Sequence, residues 1–391
     1  MRERMLFLSA RNQCNEEAEL RTESFLEILL EKFDIDLLEY CSCERGGIAD
    51  SRPALTVHRV GRAAGPRRLL LRPLNRLRPK AHVEDAGKDL RTEIRELCSH
   101  HAYSHVFVSH RLLGNCIDLI VSLLPEAVII TDAEHAWSSG GENEGPVRRK
   151  LRHHYHRINE ARVRREERRL MNKTGLLLTA TEWDALLFKS LSFADAGKVH
   201  VVPPFVDLQD YQYAGSVSRE NRVMLHWAMN TVHGKNAAIV FHEKVYPLIQ
   251  AEVPDVECCI VGSAVHPEVL ALSKADPSVK IIEDYRLAKE YIRSSKAVIA
   301  YLREGCEGRK KILEAWALRT PVVTSLRGAE ELICENGRNI LLAGTAGGIA
   351  EHVTRLLQIP ELGSLIADQA YRTLLNHYEA SNVKAKVLSL V

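Results

Sequence analysis

The sequence predicts an α/β protein built from two doubly wound, parallel-sheet domains. Three observations carry this. At 391 residues the chain exceeds what one typical hydrophobic core serves, so two domains are expected. The chain opens in the order strand, loop, helix, strand. Met5 to Ser9 is an apolar strand, Ala10 to Glu17 a loop, Ala18 to Lys32 a helix with Leu20, Phe25, Ile28 and Leu29 inward, and Ile35 to Tyr40 a second strand. The stretch from Ala300 to Glu331 repeats that alternation. Val298 to Tyr301 is a short strand, followed by a loop holding Gly305 and Gly308. Arg309, Lys310 and Lys311 open a helix with Ile312, Leu313, Trp316 and Ala317 at helical spacing. Thr320-Pro321 stops it, and Val322-Val323 starts the next strand. Strands joined by helical crossovers pair in parallel, and such sheets take ligands at the carboxyl ends of their strands.

Composition narrows the class without naming a partner. Hydrophobic residues make up 46% and charged residues 27%, ordinary for a globular protein, and the net charge is only +2. Nine cysteines, an odd number without the spacing of a secreted scaffold, point to a reducing cytosol. Cys41-x-Cys43 lacks a second pair at zinc-like spacing, so no metal site is expected. The apolar run in MRERMLFLSA is too short for a signal peptide, and no stretch is long enough to span a membrane. The charge is unevenly spread, however. His58 to Lys80 contains no acid and mixes Arg with Leu, and Val147 to Met171 is a long basic helix. The first reads either as a solvated loop or short helix or as a patch for anionic lipid headgroups, and the second as a solvated face or as a membrane or anionic-acceptor contact. The first lacks interleaved aromatics, which argues against nucleic acid.

Further strands run from Ser104 to Ser109, Ala127 to Thr131 and Leu176 to Thr179, the last leading to Thr181 as a helix N-cap reinforced by Asp184. Lys198 to Asp207 is a strand and hinge, with a polar linker from Gln209 to Glu220. The second domain opens with strand Arg222 to Trp227 and a helix starting at Lys235-Asn236. Strands Val256 to Gly262 and Lys280 to Ile282 and helix Arg286 to Ser294 follow. Beyond the organising stretch come strand Asn339 to Leu342 and helices Ile349 to Leu357 and Leu362 to Tyr378.

The chemistry concentrates around residue 310. A glycine-containing loop that enters a helix with basic residues suits phosphate, because N–H groups and the helix dipole face an anion there. Arg309 and Lys311 add full charges, and the Glu314 carboxylate is placed to accept hydrogen bonds from a ribose diol. The alternative is an ordinary Lys310–Glu314 surface pair at i,i+4. Asp132, Ala133, Glu134 and His135 follow a strand end, where an acid and an imidazole suit acceptor hydroxyls.

The run R-x-K-I-L-E-A-x-A-x-x-x-P-V-V from Arg309 to Val323, with Gly328-Ala329-Glu330 after it, resembles the donor-binding segment of family-four retaining glycosyltransferases of the GT-B fold. The resemblance implies two Rossmann-like domains facing a cleft: an acceptor domain over 1–207, a nucleotide-sugar donor domain over 208–375, and a segment 376–391 packing back towards the first. It implies that Glu314, exposed in an open cleft, binds ribose and that Arg309 and Lys311 meet the pyrophosphate. Lys235 (or His233), Gly262 and Gly328 would complete the donor site. His110, at a strand end, would line the donor sugar as a catalytic residue with Arg309 and Lys311. Arg21 would join Asp132 and His135 on the acceptor. The chain departs from the family at three places: Glu16-Glu17 stand where a Gly-Gly pair is usual, Pro204-Phe205 where Asn-Gly is usual, and Cys306 where a sugar-contacting glutamate is usual.

The expected activity is therefore metal-independent transfer of a sugar from a nucleotide-diphosphate donor to an acceptor hydroxyl with retention, in polysaccharide or glycolipid synthesis. No cofactor is expected beyond the donor substrate, and UDP and GDP are the nucleotides considered. The expected setting is cytoplasmic, docked peripherally on the inner membrane face, without nucleic acid. A non-catalytic sugar-nucleotide-binding protein and a sugar-nucleotide epimerase are the alternatives.

Overall fold

In a computed structural model the chain divides into two compact units, Met1–Pro203 with Lys386–Val391, and Pro204–Ala385. The structure describes residues 2–11, 16–41, 52–61, 88–109, 116–134, 149–212, 218–226, 229, 232–262, 265–284, 287–300, 309–330 and 332–391. Of these, 11, 16–18, 41, 61, 88–89, 134, 149–160 and 232–233 are described by backbone alone. The division falls four residues before the boundary expected after 207. Leu362 to Tyr378 groups with the second unit, and only Lys386–Val391 groups with the first.

The first unit is a seven-stranded sheet in the order β3-β2-β1-β4-β5-β6-β7, parallel at every pairing. Its strands are β1 (Glu3–Arg11), β2 (Phe33–Cys41), β3 (Leu55–Gly61), β4 (His105–Ser109), β5 (Val128–Glu134), β6 (Leu176–Thr179) and β7 (Val199–Val201). The helices are α1 (Glu16–Leu29), α2 (Lys88–His100), α3 (Ile117–Leu123), α4 (Arg149–Lys173) and α5 (Glu182–Leu191). A parallel sheet is covered on both faces, and β1 shows why its run is apolar throughout. Leu6, Leu8 and Ala10 join one buried cluster, while Phe7 stacks on Phe107 at 4.6 Å, with Phe25 of α1 against that ring at 5.2 Å. The Thr181 hydroxyl accepts from the Asp184 N–H at 3.0 Å and donates to its carboxylate at 2.8 Å, which caps α5 as expected. His58 to Gly61 of the basic segment are strand residues, not loop, because β3 extends the sheet beside β2. The rest of that segment lies outside the described residues.

The second unit repeats the plan with six parallel strands in the order β10-β9-β8-β11-β12-β13. They are β8 (Glu220–His226), β9 (Glu257–Val261), β10 (Val279–Ile282), β11 (Ser295–Ala300), β12 (Val322–Thr324) and β13 (Leu341–Leu342). The helices are α6 (Val232–Lys244), α7 (Tyr246–Glu252), α8 (Pro267–Ala275), α9 (Ala288–Ser294), α10 (Arg309–Ala317), α11 (Ala346–Gln358) and α12 (Pro360–His377). A last helix, α13 (Ala380–Leu390), runs across the division between the units. Among the described residues Trp316 of α10 is the largest fully buried side chain, with Tyr378 tilted against it at 6.3 Å. This anchors the inner face of α10 and fixes which residues of that helix turn towards the strand ends. The chain order reverses between β8 and β11, and the crevice at such a reversal is where an open α/β sheet takes its ligand.

Candidate functional site

The reversal point of the second unit gathers three charged or polar side chains. His226 is the last residue of β8, and Lys311 and Glu314 lie on α10, which follows β11. Glu314 Oε2 is 3.4 Å from Lys311 Nζ and 3.4 Å from His226 Nε2. Both distances are longer than the usual N–H···O spacing of about 2.9 Å, so these two groups bracket the carboxylate loosely. Burial, reinforced by the positive charge of Lys311, holds the His226 pKa well below 6.5, so the imidazole is neutral. Arg309 opens α10 and is buried to 6% exposure.

Two expectations change here. Glu314 was expected in an open cleft; it is only 5% exposed, because α10 turns it against the end of β8. Its lysine partner is Lys311 at i,i+3 rather than Lys310 at i,i+4, since Lys311 lies on the same inward-turning side.

The other proposed donor residues have structural partners. Lys235 was expected at the start of its helix, but α6 begins at Val232, which places Lys235 one turn in. Its ammonium pairs with Glu268 of α8 at 3.1 Å. Gly262 directly follows β9 and donates its N–H to Ile282 O at 3.1 Å. Gly328 lies in the turn after β12. A Cβ there would stand 2.2 Å from Thr324 Oγ1 and 3.1 Å from Ala300 O, so only glycine lets this turn settle on the ends of β11 and β12. The Thr324 hydroxyl donates to Ala300 O at 2.6 Å, and the Gly328 N–H donates to Ser325 Oγ at 3.1 Å. These bonds fix the floor beside α10.

In the first unit the structure brings Arg21 and Asp132 together. The Arg21 guanidinium donates Nε–H and an Nη2 hydrogen to the Asp132 carboxylate, each at 2.9 Å, and an Nη1 hydrogen to Val202 O at 2.8 Å. Both side chains are buried. The pair therefore ties α1 to the end of β5 and to the chain after β7, and neither group is displayed to an acceptor. Beside it, the Thr22 and Ser109 hydroxyls meet at 2.5 Å at the end of β4. His110 and His135 lie outside the described residues, as do Gly305, Cys306 and Gly308.

His226 is the functional candidate that sequence reasoning missed. The signal was present: a lone imidazole at the carboxyl end of the domain's first strand, within an otherwise apolar run. The basic residues further on, Lys235 and His233, carry the stronger charge signal in the sequence.

Comparisons with known proteins agree with this layout. Residues 223–359 match the family model for glycosyl transferases group 1. Among curated proteins no relative matches the chain. Solved structures similar over essentially the full length include Anabaena HepE in complex with UDP and glucose, with 14% identity, a TM-score of 0.62, and 98% of each chain covered. A glycosyltransferase from Rickettsia africae is similar at 16% identity and a TM-score of 0.62, with 100% of this chain and 97% of that one covered. Sucrose-phosphate synthase from Thermosynechococcus elongatus is similar at 13% identity and a TM-score of 0.65, covering 100% and 98%. At these identities the likeness speaks for the fold. Residues 223–359, which hold His226, Lys311 and Glu314, are the part that matches the model for glycosyl transferases group 1, and the chain as a whole has the GT-B fold.

Proposed function

We propose that the chain transfers a sugar from a nucleoside-diphosphate sugar to an acceptor hydroxyl, with retention of anomeric configuration. The observation that carries this is the Arg309, Lys311 and Glu314 face of α10 at the reversal point of the second unit, inside the segment that matches group 1 glycosyl transferases. Lys311 and Arg309 offset the charge that grows on the diphosphate as it leaves, and Glu314 receives the ribose hydroxyls. In this reading the leaving phosphate takes the acceptor's proton on the same face of the sugar, so no protein nucleophile is required. The protein's contribution is position and charge. Cationic side chains serve where other enzymes use a metal, and the reading includes no cofactor. HepE binds UDP, with glucose or as UDP-glucose, which makes a uridine diphosphate sugar the donor to try first, ahead of GDP sugars. A growing polysaccharide or glycolipid is the proposed acceptor.

The test is release of UDP or GDP from a panel of nucleotide sugars with and without glycan and lipid-linked acceptors, followed by NMR assignment of the product anomer. Transfer with the donor's configuration kept, and undiminished in EDTA, is the expected result. An inverted product removes the retaining assignment, and loss in EDTA with rescue by magnesium or manganese removes the metal-free one. A second reading, a non-catalytic sugar-nucleotide-binding protein, is favoured by the closure of Arg21 and Asp132 on each other. Tight nucleotide binding without hydrolysis or transfer of any donor would select it.

A further inference from the structure

We propose that the outer face of helices α4 and α5 in the first unit is a docking surface for an anionic lipid bilayer. Five large apolar side chains among the described residues have more than half their surface exposed, and three of them fall within eleven residues: Trp183 at 64%, Leu186 at 59% and Phe193 at 90%. Trp183 and Leu186 are i,i+3 neighbours on the solvent face of α5, whose other side buries Ala185 and Phe188. Phe193 follows just beyond the helix end. Among the described residues of the unit, nothing covers the greater part of these three side chains. An aromatic and aliphatic cluster of this kind is stable in the headgroup region and unfavourable in water.

The neighbouring helix supplies the charge. Arg168 of α4 donates its Nε–H to Leu191 O at 2.9 Å, which fastens α4 to the last turn of α5. The sequence of α4 holds ten Arg and Lys against three Glu. Arg162, Arg164, Arg165 and Arg168 are exposed, whereas Val163, Leu170 and Met171 face inward. A strongly basic face beside an exposed Trp, Leu and Phe complements a negatively charged membrane. A second copy of the chain is a poor fit, because a two-fold contact through this face would oppose one basic helix to another.

The experiment is flotation of the full-length protein with vesicles of phosphatidylcholine, alone or with phosphatidylglycerol, at low and high salt, without nucleotide. Vesicle binding is thus read independently of glycosyl transfer. The protein is expected to float with phosphatidylglycerol vesicles and to remain behind with phosphatidylcholine alone or at high salt. A Trp183→Ser, Leu186→Ser, Phe193→Ser variant, whose retained fold is checked by circular dichroism, is expected to lose roughly tenfold or more of the binding. The Arg164→Glu, Arg165→Glu variant is expected to lose the salt-sensitive part. The proposal is overturned if the wild type stays behind on every vesicle, or if the triple serine variant floats equally well. Sedimentation showing a wild-type dimer that the triple variant makes monomeric, with no flotation by either, would assign the face to a second copy instead.

Discussion

One carboxylate oxygen, Oε2 of Glu314, is shared between His226 Nε2 and Lys311 Nζ, each at 3.4 Å, in a setting where Glu314 and His226 are almost wholly buried. Lys311 supplies the charge that makes a buried carboxylate tolerable, and neutral His226 steers it without adding a second charge. Glu314→Gln keeps the shape and removes the charge. It is expected to weaken nucleotide binding by about 1.5–3 kcal/mol, the range for a hydrogen bond to a charged group. Calorimetry with UDP and GDP measures this, and affinities equal to wild type would remove Glu314 from the ribose.

His226 gives a pH signature. Its folded pKa is depressed below 6.5, so the unfolded chain binds the proton first as pH falls. The stability associated with the neutral imidazole is full above about pH 6.5 and declines below it, at up to about 1.4 kcal/mol per pH unit. His105 and His200 are also depressed, chiefly by burial, and contribute equally in a variant that leaves them in place. Between about pH 7.5 and pH 5.5, His226→Gln should therefore lose about 1.4 kcal/mol less stability than wild type in urea titrations. Identical losses would mean that His226 is protonated within the fold.

The legible part of this molecule was the part encoded by local pattern. The apolar runs at Met5 to Ser9 and Leu176 to Thr179, the Thr181 cap and the helix from Arg309 were all readable because neighbours in sequence determine them. β3 and α2 were not legible although Leu55 to Val60 is rich in β-branched residues and Leu90, Ile94 and Leu97 keep helical spacing, because the Arg-rich run between them masks the apolar periodicity on either side. What a chain cannot show by spacing is which charges close on each other. Arg21 and Asp132 are 111 residues apart, and only the parallel sheet brings them within 2.9 Å. His226 and Glu314 meet for the same reason, because β8 and β11 are adjacent in the sheet although four described helices and two strands separate them in sequence.

The Arg21–Asp132 pair carries its own prediction. Both partners are buried and joined by two parallel hydrogen bonds, so removing either leaves the other charge uncompensated. Arg21→Met or Asp132→Leu should each destabilise the first unit by about 3–5 kcal/mol, with the double variant costing less than the two single changes together. A double-mutant cycle by chemical denaturation reads the coupling. A coupling near zero would show that the pair is not closed in solution, which would return both residues to the acceptor side.

Gly328 tests the floor of the site. Gly328→Ala drives a methyl group into Thr324 Oγ1, the hydroxyl that links β12 to Ala300 O, and overpacking of this kind costs about 1–3 kcal/mol. In a Thr324→Ala background the first obstacle is gone, and only the 3.1 Å approach to Ala300 O remains. The alanine substitution should then cost clearly less, and equal cost in both backgrounds would place the turn elsewhere.

The last prediction separates binding from turnover at the basic end of α10. Negative charge on the diphosphate is greater when the sugar bond has broken than in the bound donor, so a cation that meets the phosphates acts more strongly in the transition state. Arg309→Gln and Lys311→Met should accordingly lower kcat more than they raise KM. Lys311 has a second role, because it also sits 3.4 Å from the Glu314 carboxylate. Its removal should weaken binding of the nucleoside part as well, whereas the loss at Arg309 should be confined to phosphate-dependent steps. Measuring affinity for uridine beside that for UDP distinguishes the two: Lys311→Met should reduce both, Arg309→Gln only the second. If both substitutions raise KM and leave kcat unchanged, the two cations are binding groups alone and the charge that develops on the leaving phosphate is met by other residues.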